Sequence, residues 1–464
     1  MTSSPPEDGL SGRRLLFAVI TLVIAVGMAS LDTSIANTAL PTIATDLNAS
    51  PAASVWVVNA YQLALVVSLL PFASLGEIIG YRRVYVWGLA VFTVSSLLCA
   101  LSWSLPTLTA ARILQGFGAS GIMSVNTALI RFIYPSRSLG RGVGNNALVV
   151  AVSTAIGPTI AAGILSLGPW QWLFAVNVPL GVVAFALALR ALPDTRRAPH
   201  RFDFASAALN AATFGCLIFG IGEAAHNANL AVTVASLAVA LAAGVALIYR
   251  QLGLPAPMLP VDLYRRPMFA LSSLTSVCSF VAQGLAFVSL PFYFQRVLGF
   301  SAVETGLLLT PWPVMTAIAA PIAGPLSDRF PPAILGGIGL AILCAGLALI
   351  AGLPADPGIP GIIWRMVICG SGFGFFQSPN LRAIMTSAPP ERSGGASGIV
   401  ATSRLMGQAT GAALVALCFG LSMAHGPSLA LGLAAVFSGA GSVVSFSRLA
   451  ARPLALPARK ASHG

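Results

Sequence analysis

Charged residues are scarce in this sequence, and their scarcity excludes a soluble globular fold. Only 8% of its 464 residues are Asp, Glu, Lys or Arg, whereas about a quarter of an average soluble domain is charged. Apolar residues make up 56% of the chain, and the mean hydropathy is +0.87. The composition therefore predicts a polytopic membrane protein whose apolar surface is solvated by lipid.

Cysteines and histidines are few and isolated, which disfavours disulfides and metal centres. The six cysteines each stand alone inside an apolar run, and no CxxC spacing occurs. The four histidines fall in loops or in the C-terminal tail. We therefore expect no metal site and no bound cofactor.

Catalytic signatures are also missing. The sequence has no HExxH motif, no GxSxG motif with His and Asp partners, and no phosphate-binding P-loop. Gly116-x-Gly118-x-x-Gly121 fits a dinucleotide fingerprint formally, but it lies inside an apolar segment with no preceding strand. The sequence therefore predicts that the protein is not an enzyme, and nothing in it supports transport driven by ATP.

The charges that remain are mostly positive and are distributed unevenly. Lysine and arginine number 25 against 13 acids, a net charge of +12 that in a soluble chain would suggest nucleic acid. Here the arginines lie in alternate short loops between apolar runs, and the intervening loops hold only Arg296 as a basic residue. By the positive-inside rule, both termini are cytoplasmic, the number of spans is even, and no nucleic-acid partner is expected. Arg13-Arg14 before an apolar run looks like a secretory signal, but the later spans favour a retained first span.

Long apolar segments dominate the rest of the chain. Strict alternation is absent, which disfavours a β-barrel. Fourteen segments have the length of a membrane span. They cover residues 13–36, 53–73, 83–102, 106–129, 143–166, 171–190, 204–223, 230–250, 268–294, 303–325, 333–353, 361–381, 396–421 and 428–449.

An internal repeat organises these spans into two halves. A shift of about 250 residues lays Gly157-Pro158 over Gly407-Gln408 and Glu77 near Asp328. Each half then has six spans of one plan, and two spans are left over in the middle, which is the plan of a transporter with a midplane cavity. The predicted all-α organisation is a disordered cytoplasmic tail (1–12), an N-terminal six-helix bundle (13–190), a linker with two extra helices (191–266), a C-terminal six-helix bundle (267–450) and a cytoplasmic tail (451–464).

Three motifs carry a family resemblance that covers nearly the whole chain. They start at Leu31 (LDTSIANTALP), Ala111 (ARILQGFGAS) and Thr154 (TAIGPTIAAG). These segments resemble the first, fourth and fifth spans of the major facilitator superfamily, and within it of the fourteen-span drug:proton antiporter family. The resemblance implies two six-helix bundles around a central cavity, two extra central helices, and proton-driven export.

Asp32 is the predicted proton-coupling residue, and Arg112 is its expected companion. A carboxylate at the centre of a span costs about 2.5–3.5 kcal/mol on insertion scales, so a function must justify it. In the family the first-span acid is implicated in coupling, and Asp32 has no acidic counterpart in the second half. An acid that reaches interfacial water, or a purely structural partner for Arg112, are the alternatives. Arg112 could likewise be a packing arginine bonded to carbonyls.

Two further motifs have a functional and a structural interpretation. Gly157, Pro158 and Gly163 match the family's antiporter motif, although small residues also serve ordinary helix packing. A degraded copy of the superfamily's loop after span two, together with its second-half copy, predicts a charged latch at the cytoplasmic end that forms in the outward-facing state. Its residues are Gly76, Glu77, Gly80, Arg82, Arg83, Asp328 and Arg329. The alternative for these is a tight solvated turn carrying inside-positive charge.

Polar and aromatic residues within the spans define a predicted substrate cavity. Aromatic side chains near a carboxylate would suit lipophilic cations, whereas Arg112 and Arg404 would suit anions or zwitterions, and the sequence leaves that choice open. The predicted cavity residues are Asn37, Tyr61, Gln62, Gln115, Gln283, Phe287, Gln377, Asn380, Arg404 and Gln408.

Together, these features predict a proton-coupled antiporter that exports small hydrophobic or amphipathic compounds by alternating access. A dedicated exporter of one metabolite or natural product is the alternative, and a membrane-embedded enzyme or sensor is disfavoured. The expected partners are a small-molecule substrate, protons and the lipid bilayer. We expect a monomer in a bacterial cytoplasmic membrane.

Overall fold

The computed structural model is helical throughout the part of the chain that it describes, which comprises residues 9–135, 138–195, 197, 202–225, 230–254, 261–354, 356–388, 393–422 and 425–450. Within those residues, fourteen helices are long and apolar enough to cross a membrane, and no strand occurs. The predicted all-α architecture with fourteen spans is confirmed. We number the helices α1 to α14: Gly12–Asp46, Pro51–Ile79, Tyr81–Ala100, Leu105–Ile133, Leu139–Leu167, Trp172–Ala191, Phe204–Ala225, Leu230–Leu252, Pro267–Val297, Ala302–Arg329, Pro332–Ala351, Gly358–Ser387, Ser393–Leu421 and Gly426–Ser447.

Helix α1 is longer than the sequence predicts. Its apolar stretch ends near residue 36, but the helix continues for ten more residues, to Asp46. Hydroxyl groups support this polar extension, because Thr38 and Thr45 donate hydrogen bonds to the carbonyls of Ser34 and Pro41, both at 3.0 Å. At 1.5 Å per residue, Asp32 lies about 20 Å from the end of the helix. Asp32 is therefore an interior residue of α1.

The two halves are joined at one end of the molecule. We call the end where odd-numbered helices begin the terminal side, and the opposite end the distal side. On the distal side a single core contains residues of both halves, such as Leu40 and Ile43 of α1 with Leu290 and Phe294 of α9. On the terminal side the N-terminal bundle has its own core, to which α13 of the second half contributes residues such as Leu405, and a small second core lies in the C-terminal bundle. The distal side is thus the packed end.

The two extra helices differ in their surroundings. Helix α7 packs against α2 of the first half and α13 of the second, and the Asn210 side-chain amide donates to the Val67 carbonyl at 2.8 Å. Helix α8 packs mainly on α7 and leaves residues such as Leu241 exposed, as a lipid-facing helix does. Arg250 of α8 holds Asp203 in a two-pronged pair at 2.9 and 3.1 Å, which lowers the pKa of that carboxyl to about 2. Helix α7 therefore bridges the halves, and α8 is the peripheral one.

The N-terminal segment before α1 is partly packed. Leu10, which the sequence assigned to a disordered tail, is buried in the terminal-side core of the first half. Its backbone N–H donates to the Ile133 carbonyl at 2.9 Å, so this residue caps the end of α4. Residues 1–8 and 451–464, the remainder of the two predicted tails, lie outside the described residues.

Candidate functional site: a buried ion pair behind a central cavity

Asp32 and Arg112 form an ion pair inside the N-terminal bundle. An Arg112 terminal nitrogen lies 2.5 Å from Asp32 Oδ2, and both side chains are 1% exposed. Arg112 Nε donates to the Val57 carbonyl at 3.1 Å, which anchors the guanidinium to α2. A permanently charged guanidinium in an apolar interior requires such acceptors. The structure therefore brings the two predicted coupling residues into direct contact.

Two amide side chains complete the surroundings of the carboxylate. Gln115 donates to Asp32 Oδ1 at 2.9 Å, and Asn177 donates to the same oxygen at 3.0 Å. Gln115 also accepts from Arg112 at 2.6 Å and donates to Ser96 at 2.9 Å. Asp32 thus accepts from three donors on α4 and α6, the arrangement that suits an ionised carboxylate.

Sequence reasoning placed Gln115 in the cavity wall and did not single out Asn177 or Ser96. Gln115 instead faces the ion pair, because it lies one helical turn after Arg112 on the same face of α4. Asn177 follows Trp172–Ala175 at the break in α6, and its side chain is 1% exposed. An amide in an otherwise apolar span was the available signal for Asn177, but only the packing of α6 against α1 shows its partner.

Aromatic rings enclose the guanidinium. Its central carbon lies 4.1 Å from the centroid of the Tyr61 ring and 5.5 Å from that of Phe174. Tyr61 is 1% exposed, and its hydroxyl donates to the Ala29 carbonyl at 3.4 Å. Tyr61 was predicted in the cavity wall; it stacks on Arg112 instead. The ion pair is therefore shielded by aromatic surface that contributes cation–π attraction.

A central cavity of about 100 Å³ lies on the other side of α1. Neither Asp32 nor Arg112 reaches it, because Ser30, Thr33 and Ser34 present the opposite face of α1 to the cavity. Its wall comes from both halves. Six of the ten predicted cavity residues lie in this wall: Asn37, Gln62, Gln283, Phe287, Arg404 and Gln408.

The remaining predicted cavity residues lie elsewhere. Gln377 is not among the lining residues. Asn380 is 2% exposed and belongs to a second buried cluster, in which it accepts from Arg448 at 2.8 Å and donates to Ser276 at 2.8 Å. Arg448 also donates to Ser272 at 3.0 Å. Asn380 is therefore a partner of the buried arginine that follows the last residue of α14, a role that the sequence had not identified.

The polar groups of the cavity are poorly satisfied by the protein. Gln408 donates to Gln283 across α13 and α9 at 2.9 Å. Asn37 Oδ1 and Gln62 Oε1 are buried without a hydrogen-bond partner. Among the described residues, Arg404 has neither an ion pair nor a hydrogen bond, and none of the lining residues is acidic. Apolar side chains such as Phe287 and hydroxyl groups such as that of Thr33 form the rest of the wall.

The three residues of the predicted antiporter motif have different surroundings on α5. A side chain at Gly157 would meet the Ser34 hydroxyl at 2.4 Å, so this glycine allows α1 and α5 to touch. The Pro158 carbonyl faces Gly306 of α10, where an added Cβ would lie 2.4 Å away. Gly163 has open space around it. Gly157 and Pro158 thus lie at close helix contacts, the second of which joins the two halves.

The predicted latch residues pair within each half. Arg82 binds Asp194 at 2.9 Å and the Leu189 carbonyl at 2.6 Å, and this contact lowers the pKa of the Asp194 carboxyl. Asp328 pairs with Arg382 rather than with Arg329. Each pair thus joins helices of one bundle.

The other predicted latch residues lie around these pairs. Arg83 and Arg329 are exposed. Gly80 ends α2 with a φ of +103°, a conformation that favours glycine, and Gly76 packs against Val125. Glu77 lies one turn before that break, close enough to Tyr81 to act on it electrostatically.

Similarity to known proteins identifies the superfamily. The family model of the Major Facilitator Superfamily matches residues 22–412. The chain is 56% identical to the "Uncharacterized transporter YebQ" of Escherichia coli over 95% of this chain and 97% of that protein. It is 32% identical to the "Tetracenomycin C resistance and export protein" of Streptomyces glaucescens over 88% of this chain and 77% of that protein.

Solved structures agree on the fold. A bacterial homologue of the human lysosomal transporter Spinster, in an inward-facing, unoccupied conformation, has a TM-score of 0.68 at 15% identity. The similarity covers 94% of this chain and 97% of that structure. The paired helical bundles, the cavity between them and the family match agree: this chain belongs to the Major Facilitator Superfamily and is a membrane transporter rather than an enzyme.

Proposed function

We propose that this protein exports small hydrophobic or amphipathic compounds in exchange for protons, by alternating access. The observation that carries the proposal is the buried Asp32–Arg112 pair, because Asp32 lies on α1, the helix whose opposite face lines the cavity. Protonation of Asp32 would remove its charge and weaken three hydrogen bonds that hold α1 to α4 and α6. Because the opposite face of α1 lines the cavity, a shift of this helix would change the substrate site.

The packing of the two ends supports a specific step of the transport cycle. The distal core joins the halves through several helices of each, whereas among the described residues the second half reaches the terminal-side core of the first half through α13 alone. We place both termini in the cytoplasm of a bacterium because the arginines concentrate in the loops on that side. The cavity then faces the cytoplasm with Asp32 paired to Arg112, which we propose is the state in which the exporter loads its substrate.

The two latch ion pairs agree with this assignment. Arg82–Asp194 and Asp328–Arg382 each stay within one bundle, so neither clamps the halves together on the terminal side. A superfamily transporter works by rocking its halves about the midplane site. A single chain supplies both halves and the cavity, so we propose that a monomer is the functional unit.

A dedicated exporter of one compound is the second candidate. It is favoured by a relative whose printed name specifies resistance to and export of tetracenomycin C. A susceptibility panel in a host lacking its own efflux pumps distinguishes the two. Protection against several chemically unrelated compounds supports multidrug export, whereas protection against one compound class, or none in the panel, supports a dedicated exporter.

Transport assays in inverted membrane vesicles test the proton coupling. With a preset pH gradient, a compound from the susceptibility panel should dissipate the gradient in vesicles that contain the wild-type protein. Asp32→Asn keeps the shape of the side chain but cannot exchange the proton, so it should abolish the dissipation. The matched control is Asp46→Asn, the same change on the same helix, at an acid that accepts from Trp170 at 2.6 Å. Full coupling in Asp32→Asn would refute the assignment.

A further inference from the structure

The cavity contains one cationic side chain and no acidic one. Arg404 of α13 lines it, and no described lining residue is Asp or Glu. Arg112, the other arginine that the sequence offered for substrate binding, is neutralised by Asp32 and lies outside the cavity. The net charge that a bound compound meets is therefore that of Arg404.

Arg404 lacks the partners that intramembrane arginines normally have. Arg112 binds a carboxylate, and Arg448 binds three polar side chains, yet the described residues supply no hydrogen bond or ion pair to Arg404. Intramembrane charges that have no protein partner face a water-filled cavity and mark substrate pathways. Arg404 is thus free to bind an anionic group that enters the cavity.

Two amides next to the same space are also unsatisfied. Asn37 is 8% exposed and Gln62 is 4% exposed, and the side-chain oxygen of each is buried without a partner. Both lie in the cavity wall opposite the second half. Each amide can also donate two hydrogen bonds. A ligand that has hydrogen-bond donor and acceptor atoms next to a negative group would satisfy these two amides and Arg404.

The remaining wall carries no further charge and is largely apolar, with hydroxyl groups of α1 and α5 among the apolar side chains. Leu65, Met123, Phe287 and Leu309 line the cavity from four different helices. Such a lining buries a hydrophobic scaffold, and a small number of polar groups then orients it. One cation in an otherwise uncharged and largely apolar wall fits a compound with a single acidic group on a hydrophobic body.

We infer that this transporter's substrates are amphipathic organic anions, held by a sulfonate, carboxylate or comparable acidic group on Arg404. The inference rests on the proposed export function and specifies its substrate class. It disfavours the lipophilic cations that exposed aromatic rings beside a carboxylate would have suited. Those rings, Tyr61 and Phe174, enclose Arg112 rather than the cavity.

Binding of three naphthyl compounds that differ only in charge tests the inference. The probes are naphthalene-2-sulfonate, neutral 2-naphthylmethanol and (2-naphthylmethyl)trimethylammonium, added to the purified full-length protein in detergent. Thermal stabilisation at increasing probe concentration gives the affinity, because a ligand that binds only the folded state raises the melting temperature. We expect the sulfonate to stabilise the protein most and the ammonium not at all.

Variants identify Arg404 as the anion-binding residue. Arg404→Gln should weaken sulfonate binding by about tenfold or more and leave 2-naphthylmethanol binding unchanged, whereas Arg404→Lys should retain most of the sulfonate affinity. The matched control is Arg365→Gln, because Arg365 packs on Trp364 and binds the Gly361 carbonyl, outside the cavity wall. Arg404→Gln without ligand should be at least as stable as wild type, since it removes an unpaired, half-buried charge from the cavity wall.

Several results would overturn the inference. They are failure of the sulfonate to stabilise the wild type at millimolar concentration, equal or stronger stabilisation by the ammonium, and unchanged sulfonate affinity in Arg404→Gln. These results can be told apart from a failure of the export proposal. Anion binding without a proton flux would refute proton exchange but would still support the anion site. Proton-coupled flux of cations would support proton exchange but would refute the anion site.

Discussion

At the scale of single residues, the Asp32–Arg112 pair is expensive to build and its stabilising effect is small. Taking both charges out of water costs several kcal/mol per ion, and the mutual attraction repays this only with excellent geometry and further hydrogen bonds. Gln115 and Asn177 supply those bonds, and Val57 anchors the guanidinium. An ion pair whose burial costs this much free energy is consistent with the proposal that the Asp32 carboxyl changes its charge during transport.

Removal of one member of this pair should destabilise the protein more than removal of both. Arg112→Gln leaves a buried carboxylate without its cation and should cost about 3–5 kcal/mol. Adding Asp32→Asn to that variant should recover part of the loss, with a coupling of about 0.5–3 kcal/mol. Thermal unfolding in detergent, followed with a thiol-reactive dye that reads the exposure of buried Cys99 and Cys369, gives the measurement. Strictly additive losses would show that the two charges act independently.

At the scale of helices, glycine positions decide how closely the elements approach. Gly157 brings α5 onto Ser34 of α1, and Gly306 brings α10 onto the Pro158 carbonyl of α5. The second contact joins the two halves on the distal side, where Thr159 and Thr310 also share a hydrogen bond of 2.8 Å. Small residues at helix interfaces permit this close packing in a membrane. The part of α5 that carries the predicted antiporter motif therefore helps to close the cavity at the distal end.

A methyl group at Gly306 should loosen the packing of α10 on α5 at the distal end. Its Cβ would lie 2.4 Å from a backbone oxygen, so the helices must separate, at a cost of about 1–3 kcal/mol. In a cysteine-free background with Leu309→Cys, Gly306→Ala should speed labelling by a membrane-impermeant maleimide from outside the cell by about fivefold or more. Gly163→Ala is the control, because that position has open space and the same change in helix propensity. Equal labelling in both variants would show that this contact does not hold the distal end closed.

At the scale of the whole molecule, the two halves place their charged residues differently with respect to the cavity. The first half holds a neutralised ion pair behind α1, and the second half presents the unpaired Arg404. An anion and a proton attract each other, so exchange requires that they bind in different conformations. Under the proposed exchange, the conformation in which Asp32 is paired with Arg112 is the one that binds the anion.

Exchange of one anion for one proton should be strongly electrogenic. An inward proton and an outward monovalent anion together move two charges, so a potential of 100 mV supplies about 4.6 kcal/mol. That drives a gradient of about 2,000-fold, against about 50-fold for a neutral compound, and a monovalent cation would gain nothing from the potential. Proteoliposomes loaded with naphthalene-2-sulfonate at a clamped pH gradient measure this. Transport that ignores the imposed potential would exclude the two-charge exchange.

The sequence by itself determined the membrane class, the fourteen spans and the two-half plan. These depend on the length of apolar runs, the alternation of loop charge and an internal repeat, all of which are local or periodic properties of the chain. It also singled out Asp32 and Arg112, since charges inside apolar spans are conspicuous. The predicted coupling and substrates remain proposals.

Only the tertiary structure decided which way each side chain faces. Tyr61, Gln115 and Asn380 are polar groups on spans, as Gln62 and Gln408 are, yet the first three serve buried arginines and the last two line the cavity. Helical periodicity fixes the relative angles of residues on one helix, but the packing of fourteen helices fixes which angle faces the cavity. For the same reason, whether an arginine is neutralised by a carboxylate or left facing the cavity depends on contacts between residues far apart in the sequence.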